Sequence, residues 1–167
     1  KCYSENGRGT SFTIYFPVEG HQERELTKED SKESNVSWDT LQGNETVLVV
    51  DDEEMLVDLV TDILENSGYT VYSELDGGSA IETYKRDYDK IDLVMVDIGM
   101  PGMSGDACIQ GLREFDPGVK VIIVTGYASS DVEQNPERYG ADAFLKKPYQ
   151  RAELLEKMRM ILEDKYK

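Results

Sequence analysis

Leu93-Val94-Met95-Val96-Asp97-Ile98-Gly99-Met100-Pro101-Gly102-Met103-Ser104-Gly105 is the stretch on which the fold turns. Four apolar residues end in a carboxylate, a loop rich in Gly and Pro comes next, and Ser104 opens a helical run. An unbroken apolar run bounded by turn residues reads as a strand buried on both faces, as in parallel sheets. In open α/β sheets ligand chemistry lies just beyond the carboxyl ends of such strands, where Asp97 falls. Taken alone, an Asp in that place is as ordinary as a residue starting a turn. The other strand ends decide between the two.

Working outward, the same grammar recurs from Thr46 onward. Val47-Leu48-Val49-Val50 is a buried strand ending in Asp51-Asp52-Glu53, and Met55, Leu56, Leu59, Val60, Ile63 and Leu64 stripe a helix that Gly68 stops. Thr70-Val71-Tyr72-Ser73 is a short second strand, followed by a helix carrying Ala80, Ile81, Tyr84 and Tyr88. After the Leu93–Val96 strand, Ile109, Leu112 and Phe115 mark a third helix. Val121-Ile122-Ile123-Val124 ends in Thr125. Ala143-Phe144-Leu145-Lys146 is followed by Lys147-Pro148, and Leu154, Leu155, Met158, Ile161 and Leu162 stripe the last helix. The fourth helix is the weak one: Ser130 to Arg138 holds one apolar residue and Pro136, so it should be short, mobile or broken near Asn135. Five strand–helix alternations with short connections predict a flavodoxin-like, doubly wound, five-stranded parallel sheet of order 2-1-3-4-5 with five helices.

The 167 residues suffice for one such domain plus an appendage. Residues 1–17 form that appendage's folded part: Thr10 to Phe16 alternates polar and apolar, Glu5-Asn6-Gly7-Arg8-Gly9 is a turn signal, and Lys1 to Ser4 can pair as a partner strand. A lone hairpin is marginal in water, so this β-hairpin reads as the remnant of a larger domain. Residues 18–45 are an acidic linker too poor in apolar residues to order itself, spanning roughly 30 Å as a coil. Trp38 and Leu41 are its exceptions and should dock on the domain at 46–167. The two cysteines, Cys2 and Cys108, match no metal spacing and read as free thiols of a reducing compartment.

Net charge is −16, from 34 acidic and 18 basic side chains. Residues 1–45 carry 9 acidic and 5 basic residues, so the acidity belongs mainly to the globular part. Such a surface repels phosphate backbones, which argues against nucleic acid as a partner. No apolar run is long enough to span a bilayer, and direct membrane contact is not expected.

At the carboxyl ends of the buried strands stand Asp51 and Asp52, then Asp97, Thr125 and Lys147. In the 2-1-3-4-5 order the three carboxylates converge, with Thr125 and Lys147 on their flank. Carboxylates that close repel one another unless a cation is present, and hard oxygen ligands in a partly open site suit Mg²⁺. Lys147 supplies a point charge for phosphate oxygens and Thr125 a hydroxyl. Asp97 would then be the nucleophile, forming an acyl phosphate while the metal and lysine neutralise developing charge, with Gly99 and Gly126 leaving space.

Residues 46–165 resemble the receiver domain of two-component response regulators. The resemblance is carried by Val-Val-Asp-Asp-Glu at 49–53, Val-Asp-Ile-Gly-Met-Pro-Gly-Met-Ser-Gly at 96–105, Val-Thr-Gly-Tyr at 124–127 and Lys-Lys-Pro-Tyr at 146–149. It implies that Asp97 accepts phosphate from the phosphohistidine of a sensor kinase dimerisation domain or a phosphotransfer domain. It further implies Asp51, Asp52, Asp97 and the Gly99 carbonyl as Mg²⁺ ligands, Thr125 and Lys147 as phosphoryl-binding groups, and Phe144 as an aromatic switch that turns inward when Thr125 moves. Gly99 and Tyr127 occupy positions that influence dephosphorylation in this family. Residues 4–17 resemble the closing strands of a histidine-kinase ATP-binding domain. Together the two resemblances imply the tail of a hybrid sensor histidine kinase in the cytoplasm: kinase strands at 1–17, linker at 18–45, receiver at 46–167. On this reading the piece has no kinase active site: His21, the only histidine, lies in the linker without the context of a kinase phosphoacceptor helix, and ATP binding would need residues beyond these closing strands. Two other readings stand beside this one. One is a stand-alone response-regulator-type interaction module, with homodimerisation left open. The other is an Asp-nucleophile phosphatase, which would need a second carboxylate soon after Asp97, and Ile98-Gly99-Met100 offers none.

Overall fold

The structure is a computed structural model that describes residues 2–5, 9–13, 38–126 and 135–163. The chain divides into two units, Lys1–Ser34 and Asn35–Lys167. In the first, β1 (Cys2–Glu5) pairs antiparallel with β2 (Gly9–Phe12), with Cys2 opposite Phe12 and Glu5 opposite Gly9. Most of the expected linker lies outside the described residues.

The second unit is built on a sheet of β3 (Thr46–Val50), β4 (Thr70–Glu74), β5 (Leu93–Asp97), β6 (Val121–Thr125) and β7 (Ala143–Lys146). The order is β4-β3-β5-β6-β7, every pair parallel, which is the predicted 2-1-3-4-5 order. Successive residues of a strand point to opposite faces, and both faces are covered, so the central strands carry no polar alternation. Val47, Val49, Leu93, Met95, Ile122 and Val124 face one core layer, shared with α1 (Glu54–Glu65) and α4 (Arg151–Glu163). Leu48, Val50, Val94, Val96, Val121 and Ile123 face the other, shared with α2 (Gly77–Asp87) and α3 (Gly105–Phe115).

The helix starts obey ordinary capping chemistry. Asp76 accepts from the Ser79 amide at 2.9 Å to open α2, and Ser104 accepts from the Ala107 amide at 3.4 Å to open α3. Four α-helices lie among the described residues. The fourth of the five expected helices falls partly on residues 127–134, outside them. Beyond Asn135 the chain forms a 3-10 turn at Pro136–Tyr139, ended by Gly140 at φ 74°.

Three stripes read from the sequence are narrower in the structure. On α1 the buried residues are Val57, Val60 and Leu64, while Met55 and Leu59 are exposed. Tyr88 and Phe115 are likewise exposed, stacked edge-to-face against each other at the ends of α2 and α3. Leu41, from a 3-10 turn at Trp38–Leu41, is buried against the α1/α4 core; the Trp38 side chain is outside the described residues.

Candidate functional site

Because β3, β5, β6 and β7 run parallel and in register, their last residues arrive side by side. Val50 pairs with Val96, Asp97 with Val124, and Thr125 with Lys146. One step past those pairs, Asp51, Asp97, Thr125 and Lys147 crowd a single sheet edge. Asp51, Asp97 and Thr125 are buried, whereas Asp52 is exposed at the mouth. One carboxylate oxygen from each of Asp51, Asp52 and Asp97 lies within 4.8 Å of the others.

Lys147 holds the centre. Its ammonium donates to Asp51 Oδ2 at 2.5 Å and to Asp97 Oδ2 at 3.1 Å, and its backbone N–H donates to the Thr125 carbonyl at 2.9 Å. Burial on its own would lower the Lys147 pKa, but the hydrogen bonds and charges of Asp51 and Asp97 outweigh it and hold the group above its ordinary value. The lysine at this edge is therefore a cation, and it is what allows two buried carboxylates to sit together. Backbone amides hold the remaining oxygens: Glu53 N–H donates to Asp51 Oδ1 at 3.0 Å and Gly99 N–H to Asp97 Oδ1 at 3.2 Å.

All the residues singled out at strand ends are thus brought together. Gly99 lies two residues past Asp97, and a Cβ built there would be 3.6 Å from Asp97 Oδ2, in ordinary contact with the carboxylate. Gly126 has nothing within 4 Å of such an atom among the described residues. Phe144 stands apart from the carboxylates, on β7 opposite Ile123, half-buried against the α2/α3 layer. Tyr127 is outside the described residues.

Two contributors carried no role in the sequence reading. Gly105 opens α3 directly beneath the site, where a Cβ would drive into the Asp97 carbonyl oxygen and come within 2.7 Å of Ile98 Cα. Its N–H also donates to the Ile98 carbonyl at 3.3 Å. The signal lay in the Gly-rich loop after Asp97, but a ban on Cβ is a matter of close approach that spacing does not reveal. Tyr149 is the second. It packs against the α1/α4 core beside the site, and burial together with the nearby Asp51 and Asp97 charges raises its pKa although Lys147 works the other way. With Leu56, Leu59, Val60, Ile63 and Pro148 it lines an apolar groove of about 330 Å³ that runs up to Lys147.

The donor set fits a hard divalent cation. It is all oxygen and partly open through Asp52, with neither His nor Cys in the group.

The response regulator receiver domain model matches residues 47–159. Sensor kinase CckA of Brucella abortus is 33% identical over 164 residues, 97% of this chain, although the chain spans only 17% of CckA. Chemotaxis protein CheY of Treponema pallidum is 33% identical over 118 residues, 70% of this chain and 82% of CheY. Among solved structures, a CheX-CheY-BeF3-Mg+2 complex from Borrelia burgdorferi is similar with a TM-score of 0.69 and 30% identity, over 75% of this chain and 98% of that one. With the family model, the strand order and the acidic sheet edge in agreement, the chain belongs to the response regulator receiver domain family.

Proposed function

We propose that the chain is the receiver of a hybrid sensor histidine kinase and that Asp97 is its phosphoacceptor. The observation that carries the reading is the Lys147 ammonium bonded to both Asp51 and Asp97, with the Asp52 carboxylate alongside. In the transfer an Asp97 carboxylate oxygen attacks phosphorus, the phosphorus–nitrogen bond of a phosphohistidine breaks, and the imidazole nitrogen keeps the electron pair. The product is an acyl phosphate on Asp97. Asp51, Asp52, Asp97 and the Gly99 carbonyl would hold Mg²⁺, which supplies positive charge to the phosphoryl oxygens. Lys147 is already positioned and charged to take one of those oxygens. The Thr125 hydroxyl takes another, and its displacement lets Phe144 turn inward. The new group adds about −1.5 to −2 charges at the edge, enough to redirect Lys147 and Thr125 toward it.

The apolar groove beside Lys147 suits the phosphodonor's helix, since an apolar helix face would cover it while holding a histidine over Asp97. The hybrid-kinase assignment rests on the likeness to CckA, which runs through residues 1–45 as well as the receiver, and on the β1–β2 hairpin. In that reading residues 1–17 close a kinase ATP-binding domain and 18–45 link it to a cytoplasmic receiver. Among the described residues no helix is long and apolar enough to cross a membrane.

Incubation with acetyl phosphate and Mg²⁺, followed by intact mass and peptide mapping, tests the assignment. One phosphoryl increment on Asp97, absent in Asp97→Asn and absent with chelator, is the expected result. An increment that persists in Asp97→Asn would overturn it.

A further inference from the structure

The segment just before β3 is built into the receiver by contacts that the phosphoacceptor site does not need. Leu41 is buried at 5% exposure in the core layer that the sheet shares with α1 and α4. The Leu41 carbonyl accepts from Tyr69 Oη at 3.4 Å, and Gly43 N–H donates to the Ser67 carbonyl at 3.1 Å. A side chain at Gly43 would overlap the Tyr69 ring, and one at Gly68, where φ is 94°, would overlap the Gly43 carbonyl. Residues 41–45 therefore lie flush against the α1–β4 turn. Glu45 then closes the segment: Arg159 donates Nη1 to Oε2 and Nη2 to Oε1, both at 2.8 Å, and Nη1 also reaches Tyr69 Oη at 3.3 Å. A two-pronged guanidinium–carboxylate pair fixes orientation as well as distance.

Arg159 belongs to α4, and α4 starts at Arg151, four residues after Lys147. From Arg151 to Arg159 is about two turns, roughly 12 Å of rigid rod. Arg151 itself donates to Ser67 Oγ at 3.1 Å, so the helix grips the α1–β4 turn from its first residue as well. One helix thus connects the loop that carries the site's lysine to the segment by which the linker enters.

We propose that residues 38–45 form a strap through which α4 passes displacement of the Lys147 loop to the linker. The proposal rests on the reading of Asp97 as phosphoacceptor for its input. At rest Lys147 is bonded to the Asp51 and Asp97 carboxylates. A phosphoryl group on Asp97 moves the preferred position of the ammonium outward to the new oxygens. The Lys147-Pro148-Tyr149-Gln150 loop is short, so α4 moves with it. Side chains at Arg159, Glu45 and Tyr69 then either follow the helix or let go of the strap. In both cases the strap responds to the site through α4.

Amide hydrogen exchange on the whole 167-residue chain tests this, with and without beryllofluoride and Mg²⁺ as the phosphoryl mimic. The amides to follow are Gly43 and Thr70, which donate to the Ser67 and Glu45 carbonyls. Adduct formation should change their protection by about fivefold or more, the lower range of measured couplings between sites. In Arg159→Gln, losing hydrogen bonds to a charged partner should cut their protection by about tenfold and abolish its dependence on the adduct. Glu45→Gln should do the same, and the double variant should add nothing. If fluorine resonances report the adduct while protection is unchanged in the wild type, the coupling is wrong. If neither single variant alters protection, the strap itself is wrong. Failure to form any adduct would instead overturn the phosphoacceptor reading, and with it the strap's input, whatever the variants do.

Discussion

At the level of single residues the balance turns on Lys147. Its ammonium lies between Asp51 and Asp97, all three side chains mostly buried, so each carboxylate's charge is compensated by the same donor. Removing that donor while leaving both acids leaves like charges facing each other in a poorly solvated edge, which costs more than the pair itself contributes. Lys147→Met should therefore lose about 1–3 kcal/mol of stability in chelator, discounted from a fully buried pair because Asp52 and the mouth remain wet. Mg²⁺ should restore more stability to this variant than to the wild type, because the ion then does the neutralising alone. Urea titrations with and without Mg²⁺ measure both. Equal stability of the two proteins in chelator would mean that the carboxylates do not depend on the lysine. The acidic and basic members of this set were legible from sequence because strand ends in a parallel sheet are predictable meeting points. The neighbouring backbone amides of Glu53 and Gly99 were not, since amide direction depends on loop geometry rather than residue type.

For the helices and strands, what matters is how closely each approaches the site. Helix α3 meets the end of β5 at Gly105, and the atoms that a Cβ would strike are the Asp97 carbonyl oxygen and Ile98 Cα. Backbone cannot rotate away as a side chain can. Gly105→Ala should cost about 1–3 kcal/mol through this overpacking and should also slow adduct formation on Asp97, because the residue displaced is the proposed phosphoacceptor. Chemical denaturation and the rate of mass increment with acetyl phosphate give the two numbers; an unchanged rate in a destabilised protein would confine Gly105 to packing. Helix α1 marks where sequence periodicity reaches its limit. Its apolar stripe correctly announced a helix, yet Met55 and Leu59 were grouped with the core and are exposed, while Val57 is buried. Periodicity finds an apolar face but not its width, and of the surplus on α1 Leu59 lines the groove at Lys147. The fourth helix shows the converse. Pro136 and the polar run before it announced a break; that run lies largely outside the described residues, and from Pro136 a 3-10 turn runs to Tyr139, closed by Gly140.

Across the whole molecule, charge and the strap act in opposite directions as pH falls. At neutral pH the net charge of −16 works against compactness, so mild acidification or added salt should stabilise the protein. Below that range the strap takes over. Burial would raise the Glu45 pKa, but the Arg159 hydrogen bonds and charge outweigh it and hold the carboxyl below its ordinary value of 4.5. Over that interval Glu45 stays charged in the folded chain while its unfolded counterpart already binds protons, so protons favour unfolding. Its contribution is complete above pH 4.5 and is lost as pH falls through the lower, folded-state value. Stability should therefore pass through a maximum on the acidic side of neutrality and drop beneath it. Glu45→Gln, which keeps the shape and cannot titrate, should lower stability at neutral pH by about 1–2 kcal/mol and flatten the acid limb. Asp87 and Asp76 also have lowered pKa values, held down chiefly by hydrogen bonds from Lys90 and from Ser79, so some slope persists in the variant. Thermal unfolding of both proteins between neutrality and the acid limb decides the point. An identical slope below pH 4.5 would show that Arg159 does not hold the Glu45 carboxyl down in the folded chain.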